Sequence, residues 1–243
     1  MNLLIELGNS RLKWACVDPE SEGGRLRPGG SIAYHDGGDA WWESLPRQRP
    51  HAVWFASVAG ADAVAALRGF CREHWRLDPR QVHATAASCG VRNAYPRPQA
   101  LGVDRWLACI AAYHRGAGSV LVADAGTALT LDLVGAHGVH RGGLICPGVG
   151  TMRAGLRANT DLRMEPVAAD ATALAKDSPA AIASGTLQMA LEVIQAARRR
   201  HRPQRVLLAG GEAAMLLPHL GAAWDHAPDL VLEGLALVAA EGA

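Results

Sequence analysis

Two stretches of this chain carry one pattern, and that repetition constrains the fold more than any other feature. Residues 3–17 read LLIELGNSRLKWACV, and residues 121–135 read LVADAGTALTLDLVG. Overlaid 118 residues apart, they put Glu6 on Asp124, Gly8 on Gly126 and Asn9 on Thr127. Each unit is an apolar strand ending in an acid, a glycine turn with a small polar residue, and a second apolar strand. The spacing is close to half of the 243 residues. A unit repeated at that distance predicts an α/β fold of two similar half-domains facing one another, residues 1–117 and 118–243.

The repeated unit has a clear chemistry. Glycine permits a turn that brings backbone N–H groups close to an anion. An amide or hydroxyl beside it adds a donor to a phosphate oxygen. A carboxylate repels a phosphate directly, but it can hold a hydrated cation that neutralises one. Two such hairpins pointing into one cleft would clamp a polyphosphate from both sides. A third glycine feature is the run VLLAGGEA over residues 206–213. There a buried strand enters Gly210-Gly211, which offers bare backbone to a flat ring such as adenine, or simply turns a strand into a helix.

Charge and cysteine usage narrow the classes. With 24 basic and 23 acidic residues the formal net charge is +1, which gives no electrostatic reason to expect nucleic acid or an anionic membrane as partner. The five cysteines are scattered, odd in number and without a CxxC pair. That suits a reduced cytoplasmic protein and argues against a disulfide scaffold or zinc ribbon. There is no 18-residue apolar span and no basic leader, so the chain reads as soluble. No GxxxxGK[ST], HExxH or GxSxG occurs. His137 and His140 stand in HGVH, which reads as a hairpin tip.

Strands are expected over residues 3–7, 12–17, 31–34, 52–57, 82–84 and 206–209. Helices are expected over residues 62–76 with Asp62 as N-cap, 103–114, 151–163, 178–201 and 230–240. In 178–201, Leu187, Ala190, Ile194 and Ala197 share one side. The glycine-rich segments 23–30 and 37–38 read as surface loops, and the basic run 198–202 as a solvated helix end.

Taken in order, several motifs resemble one family. They are Glu6-Leu7-Gly8-Asn9-Ser10 with Lys13-Trp14, Leu101-Gly102-Val103-Asp104-Arg105, and Asp124-Ala125-Gly126-Thr127-Ala128 with Thr130 and Asp132. Then come residues 142–148 (GGLICPG), Ser184-Gly185-Thr186, Gly210-Gly211 and residues 229–235 (DLVLEGL). Together they resemble the type III pantothenate kinases, whose relatives include accessory factors for virulence gene control. The resemblance runs from residue 3 to about 238.

The resemblance implies a duplicated actin-like (ribonuclease H-like) fold, two half-domains around a nucleotide cleft, and a homodimer. It implies the ATP-dependent phosphorylation of the primary hydroxyl of pantothenate, the first committed step of coenzyme A synthesis. Mg²⁺ or another divalent ion would accompany ATP, with K⁺ or NH₄⁺ as a monovalent cation. A regulatory protein of the same fold that has lost turnover is the alternative.

The family pattern also implies site residues. Asp104 matches the general base, while its place at a helix start also suits an N-cap. Arg105 matches a holder of the substrate carboxylate or a phosphate oxygen, against a solvated helix arginine. Tyr95, Gly102 and Val103 lie on the segment that contacts pantothenate. Thr186 matches another such contact, against a helix-start hydroxyl. Glu6, Gly8, Asn9, Ser10, Lys13, Gly126, Thr127, Gly210 and Gly211 fall on ATP-binding positions, although Lys13 also suits a solvent-facing strand. Asp124 matches the monovalent-cation ligand. Glu6, the divalent-cation candidate, departs from the family's usual Asp by one methylene.

Overall fold

The computed structural model describes residues 1–18, 26–33, 42, 44–161 and 169–242. The chain divides into two compact units. The first comprises residues 1–116, 138–140 and 229–243, and the second residues 117–137 and 141–228.

The first unit is built on β1 (Asn2–Leu7), β2 (Arg11–Val17), β3 (Leu26–Ala33), β4 (Val53–Ser57) and β5 (Arg80–Gln81), in the spatial order β3-β2-β1-β4-β5. β1 lies at the centre, antiparallel to β2 and parallel to β4. Its Leu3, Leu4 and Ile5 are all fully buried. A strand covered on both faces needs that continuous apolar run. Helix α1 (Ala61–Phe70) connects β4 to β5 and runs into a π-turn at Cys71–Trp75. A short hairpin, β6 (Ala87–Ser88) with β7 (Val91–Arg92), precedes helix α2 (Val103–His114). Leu67, Cys71 and Trp75 pack with Leu3, Leu7 and Phe55 into this unit's core.

The second unit repeats the plan. Strands β8 (Val120–Ala125), β9 (Ala128–Val134), β10 (His140–Pro147), β11 (Arg205–Ala209) and β12 (Trp224–His226) stand in the order β10-β9-β8-β11-β12. Again the central strand is antiparallel to its successor and parallel to the strand after the crossover. Helices α3 (Val149–Asn159) and α4 (Ser178–His201) make that crossover, and α5 (Ala213–Leu220) links β11 to β12. The face of α4 expected to be apolar is buried: Leu187, Ala190, Ile194 and Ala197 join Leu121, Leu131 and Leu208. The basic end of α4 is solvated, with Arg199, Arg200 and Arg202 exposed. Helix α6 (Leu230–Glu241), the last of the chain, belongs to the first unit and packs on α2 and β1.

The two sheets therefore share one topology, and the duplicated α/β fold follows from the repeat. β1 and β8 correspond residue for residue at the spacing read from the sequence. The turns differ. Leu7 pairs with Leu12, but Ala125 pairs with Leu129, so the second turn is one residue shorter. Past the turn, Lys13 corresponds to Thr130.

Several local expectations change. Residues 26–30 are strand, not loop, while 23–25 and 37–38 lie outside the described residues. The Trp14 ring lies across Gly29 and Gly30, where a side chain would collide with it, so these glycines serve strand packing. The β2–β3 register shifts at the same place. Tyr34 is likewise outside the described residues. The N-cap of α1 is Gly60, and Asp62 sits in the first turn. The strand expected at 82–84 lies at Arg80–Gln81. α3 starts two residues early and ends at Asn159. His140 is no hairpin tip: it is 1 % exposed, its ring stacked 6.1 Å from that of Tyr95. Among the described residues no helix is long and apolar enough to cross a membrane.

Candidate active site

In the first unit, Glu6 is the penultimate residue of the central strand. It stands opposite Lys13 on β2 and Ala56 on β4. Directly opposed residues of an antiparallel pair share a face, so Lys13 and Glu6 project together and are complementary in charge. Lys13 is half-buried, not a fully solvent-facing strand residue. The turn after Glu6 closes through Gly8 N–H donating to Arg11 O at 3.0 Å, and Asn9 and Ser10 stand exposed at its tip. Gly8's own donor is thus spent within the turn.

A second group forms along residues 93–105. Asn93 organises the loop: its Oδ1 accepts from Tyr95 N at 3.0 Å, and its Nδ2 donates to the carbonyls of Thr85 and Pro98 at 3.2 Å. Tyr95 is held between two neighbours. Its ring stacks on His140, and its hydroxyl accepts from Arg105 Nη1 at 3.2 Å, with the guanidinium 6.0 Å over the ring. Arg105 is only 6 % exposed, which excludes the solvated helix arginine. The N-cap of α2 is Gly102. Asp104 therefore stands within the first turn and is not the cap; there a carboxylate is favoured by the helix dipole. It folds back over Gly102: its Oδ1 accepts from Arg105 N at 2.8 Å and lies 2.6 Å from where a Cβ on residue 102 would sit. Gly102, Asp104, Arg105 and Tyr95 thus form one constellation, with Val103 buried beneath it.

In the second unit, Asp124 takes the register that Glu6 takes in the first, opposite Thr130 and beside Ala209. Gly126 N–H closes the turn onto Ala128 O at 3.0 Å, and Thr127 is exposed. Gly210 and Gly211 are adjacent to this turn but differ in character. Gly210 has φ of +93°, and a Cβ there would overlap Ala125 O and lie 2.5 Å from Asp124 Oδ1. Among the described residues nothing stands within 4 Å of the corresponding position above Gly211. Only Gly211 is the open shelf that a flat ring needs; Gly210 is fixed by the local packing. Asp132 is buried within β9.

Thr186 lies well inside α4, so it is not a helix-start hydroxyl. It is 4 % exposed. Its hydroxyl donates back to Ile182 O at 2.8 Å and accepts from Arg153 Nε at 3.0 Å, while Arg153 Nη2 reaches Ala183 O at 3.0 Å. Two residues that sequence reasoning did not single out emerge here. Arg153 is one. The other is Glu212, whose carboxylate accepts from Val149 N at 2.9 Å and Gly150 N at 2.8 Å. None of the five cysteines is in a disulfide, and burial pushes Cys71 up to about 12 and raises Cys16 and Cys89, which disfavours those three as nucleophiles.

The family model for type III pantothenate kinase matches residues 2–200. The chain belongs to the type III pantothenate kinase family. The type III pantothenate kinase of Nitrosococcus oceani is 35% identical across 98% of this chain and 94% of its own. That of Burkholderia vietnamiensis is 39% identical across 100% and 97%. Among solved structures, a protein described as a Baf family transcriptional activator from Campylobacter jejuni superposes with a TM-score of 0.62 at 18% identity, covering 99% of this chain and 98% of its own. The activator of 2-hydroxyisocaproyl-CoA dehydratase from Clostridium difficile, with bound ADPNP, gives 0.52 at 10% identity, covering 99% and 96%. At those identities the likeness concerns the fold alone. The type III pantothenate kinase family thus carries here the duplicated actin-like fold, and this member is a kinase.

Proposed function

We propose that the protein transfers the terminal phosphoryl group of ATP to the primary hydroxyl of pantothenate, forming 4'-phosphopantothenate. The observation that carries this reading is the Tyr95–Asp104–Arg105 constellation, which stands on the segment where the family pattern puts its pantothenate contacts. Asp104 is the general base that takes the hydroxyl proton. Arg105, pre-oriented by Tyr95, offers a planar fork of donors to a carboxylate or phosphate oxygen. Gly102 and Val103 present backbone to the substrate. Phosphoryl transfer has a loose transition state, so most of the catalysis is positioning and charge neutralisation.

ATP is bound through the repeated acid turns. Asn9, Ser10 and Lys13, with Thr127, engage the phosphates, while Gly8 and Gly126 shape the turns, their N–H donors closing them. Gly211 forms the adenine shelf, and Gly210 is the packed turn residue beside it. Glu6 fits a divalent ion accompanying ATP, because a carboxylate beside a phosphate turn is the hard oxygen ligand such an ion takes. Asp124 is the ligand for K⁺ or NH₄⁺. Thr186 is a further pantothenate contact, its hydroxyl held by Arg153. The reading includes a cytoplasmic location and a homodimer, for which exposed Leu144, Ile145 and Met189 offer apolar surface; the molar mass in solution checks the dimer.

ADP release measured with and without pantothenate tests the whole. Release only when pantothenate is present, and faster with K⁺ than with Na⁺, is expected. ATP binding without turnover would favour the regulatory alternative and overturn the kinase reading. Glu6→Asp is expected to keep or raise turnover, by up to about threefold at limiting Mg²⁺, because the shorter acid restores the usual reach to a strictly octahedral ion. Total loss of activity in that variant would remove the cation role from Glu6.

A further inference from the structure

We propose that Glu212 is a positioning residue for the nucleotide: it locks the shelf at Gly211 to the phosphate turn at Gly126-Thr127. This rests on the ATP reading above. Helix α3 starts with unsatisfied backbone N–H groups and a partial positive charge, which makes its N-terminus a natural seat for an anion. Its N-cap is Gly148, which has no side chain to satisfy them. The seat is filled instead from the next glycine turn along the sheet. Glu212 Oε2 accepts from Val149 N at 2.9 Å and Oε1 from Gly150 N at 2.8 Å.

Further bonds tie the same pieces together. Glu212 N–H donates to Ala125 O at 2.8 Å, which fixes the residue just ahead of the phosphate turn. Gly148 N–H donates to Thr127 O at 3.0 Å, and Thr151 Oγ1 donates to it at 2.5 Å. Gly148 itself packs so close that a Cβ there would overlap Gly126 O. One side chain therefore anchors the helix start that holds Thr127, while its own backbone holds Ala125.

Two consequences follow. The negative charge of Glu212 closes the helix terminus to the triphosphate, so the phosphates are directed to the 126–128 turn. The geometry of the shelf and of the turn also become one unit, so adenine seating and phosphate seating are coupled. A neutral amide at this position cannot accept from both N–H groups, since its NH₂ faces a donor. A Glu212→Gln enzyme is then expected to raise the dissociation constant and KM for ATP about tenfold, with KM for pantothenate within about twofold of wild type. Glu212→Asp, which keeps the charge, is expected to recover part of the ATP affinity.

Titration calorimetry with ATP alone, steady-state kinetics for both substrates and melting curves are measured on wild type, Glu212→Gln and Glu212→Asp, well below each melting temperature. A rise confined to ATP, partly rescued by Asp, supports the lock. Unchanged ATP affinity in Glu212→Gln, an equal rise in both KM values, or no rescue by Asp overturns it. If Glu212→Gln does not fold, Glu212→Asp with wild-type ATP affinity overturns it and with weakened affinity supports it. If the wild-type protein binds ATP but releases no ADP with pantothenate, the kinase reading fails while the calorimetry still judges Glu212.

Discussion

Replacing Asp104 by asparagine is expected to lower kcat by about a hundredfold or more, the usual loss when a positioned general base is removed. ATP affinity and the melting temperature should change little. The reason lies in the side chain's surroundings. Asp104 lies in the first turn of α2, and the helix is capped at Gly102 without any side-chain bond, so the carboxylate is not needed to start the helix. Its Oδ1 accepts a local bond from Arg105 N, and an asparagine Oδ1 accepts the same bond. The amide fits over Gly102 as the carboxylate does, because residue 102 has no Cβ. Arg105 remains buried and bonded to Tyr95. The variant therefore removes the proton acceptor and leaves the frame. Rapid-mix or steady-state ADP release, with pantothenate and ATP both saturating, measures the effect. Turnover within about threefold of wild type would remove Asp104 from the role of base.

Much of this frame was legible because its signals are local. The acid turns were read twice from a few residues, and the central strands coincide with the overlay. Helices 103–114 and 178–201 were read to the residue, since their ends are marked by neighbours in sequence, such as the glycine before Val103 and the proline in the first turn of α4. Other features have causes far away in the chain. Gly29 and Gly30 look like loop glycines until the Trp14 ring is seen across them. His140 looks like a turn residue until Tyr95 is found against it. Glu212 follows a glycine pair as any helix-start acid would, and its partners Val149 and Gly150 lie more than sixty residues earlier. Helix α6 is last in sequence yet joins the first unit, because Gly234 lets it press its backbone onto Leu107 of α2. Periodicity identifies an apolar face; it does not say which surface will cover it.

The paired glycines after β11 give the second large effect and separate packing from binding. In Gly210→Ala the new methyl enters a backbone held at φ +93°, which costs about 1–2 kcal/mol for a residue with a Cβ. It also overlaps Ala125 O and crowds Asp124 Oδ1, an overpacking cost of about 1–3 kcal/mol. At about 2–4 °C per kcal/mol for a chain of this size, the melting temperature should fall by roughly 4–20 °C. Because the groups displaced are Asp124 and the strand end that feeds the phosphate turn, ATP turnover should fall by at least about a hundredfold even where the protein is still folded. Gly211→Ala is the contrast. Its methyl projects into open space, so the melting temperature should stay within about 2 °C of wild type. On the proposed adenine shelf the methyl would nevertheless meet the ring, and KM for ATP should rise by about tenfold or more. Melting curves and ATP titrations on the two variants decide the matter. A Gly210→Ala protein that melts and turns over like wild type would contradict the packing described here, and a Gly211→Ala protein with unchanged ATP affinity would show that the ring is not seated on that shelf.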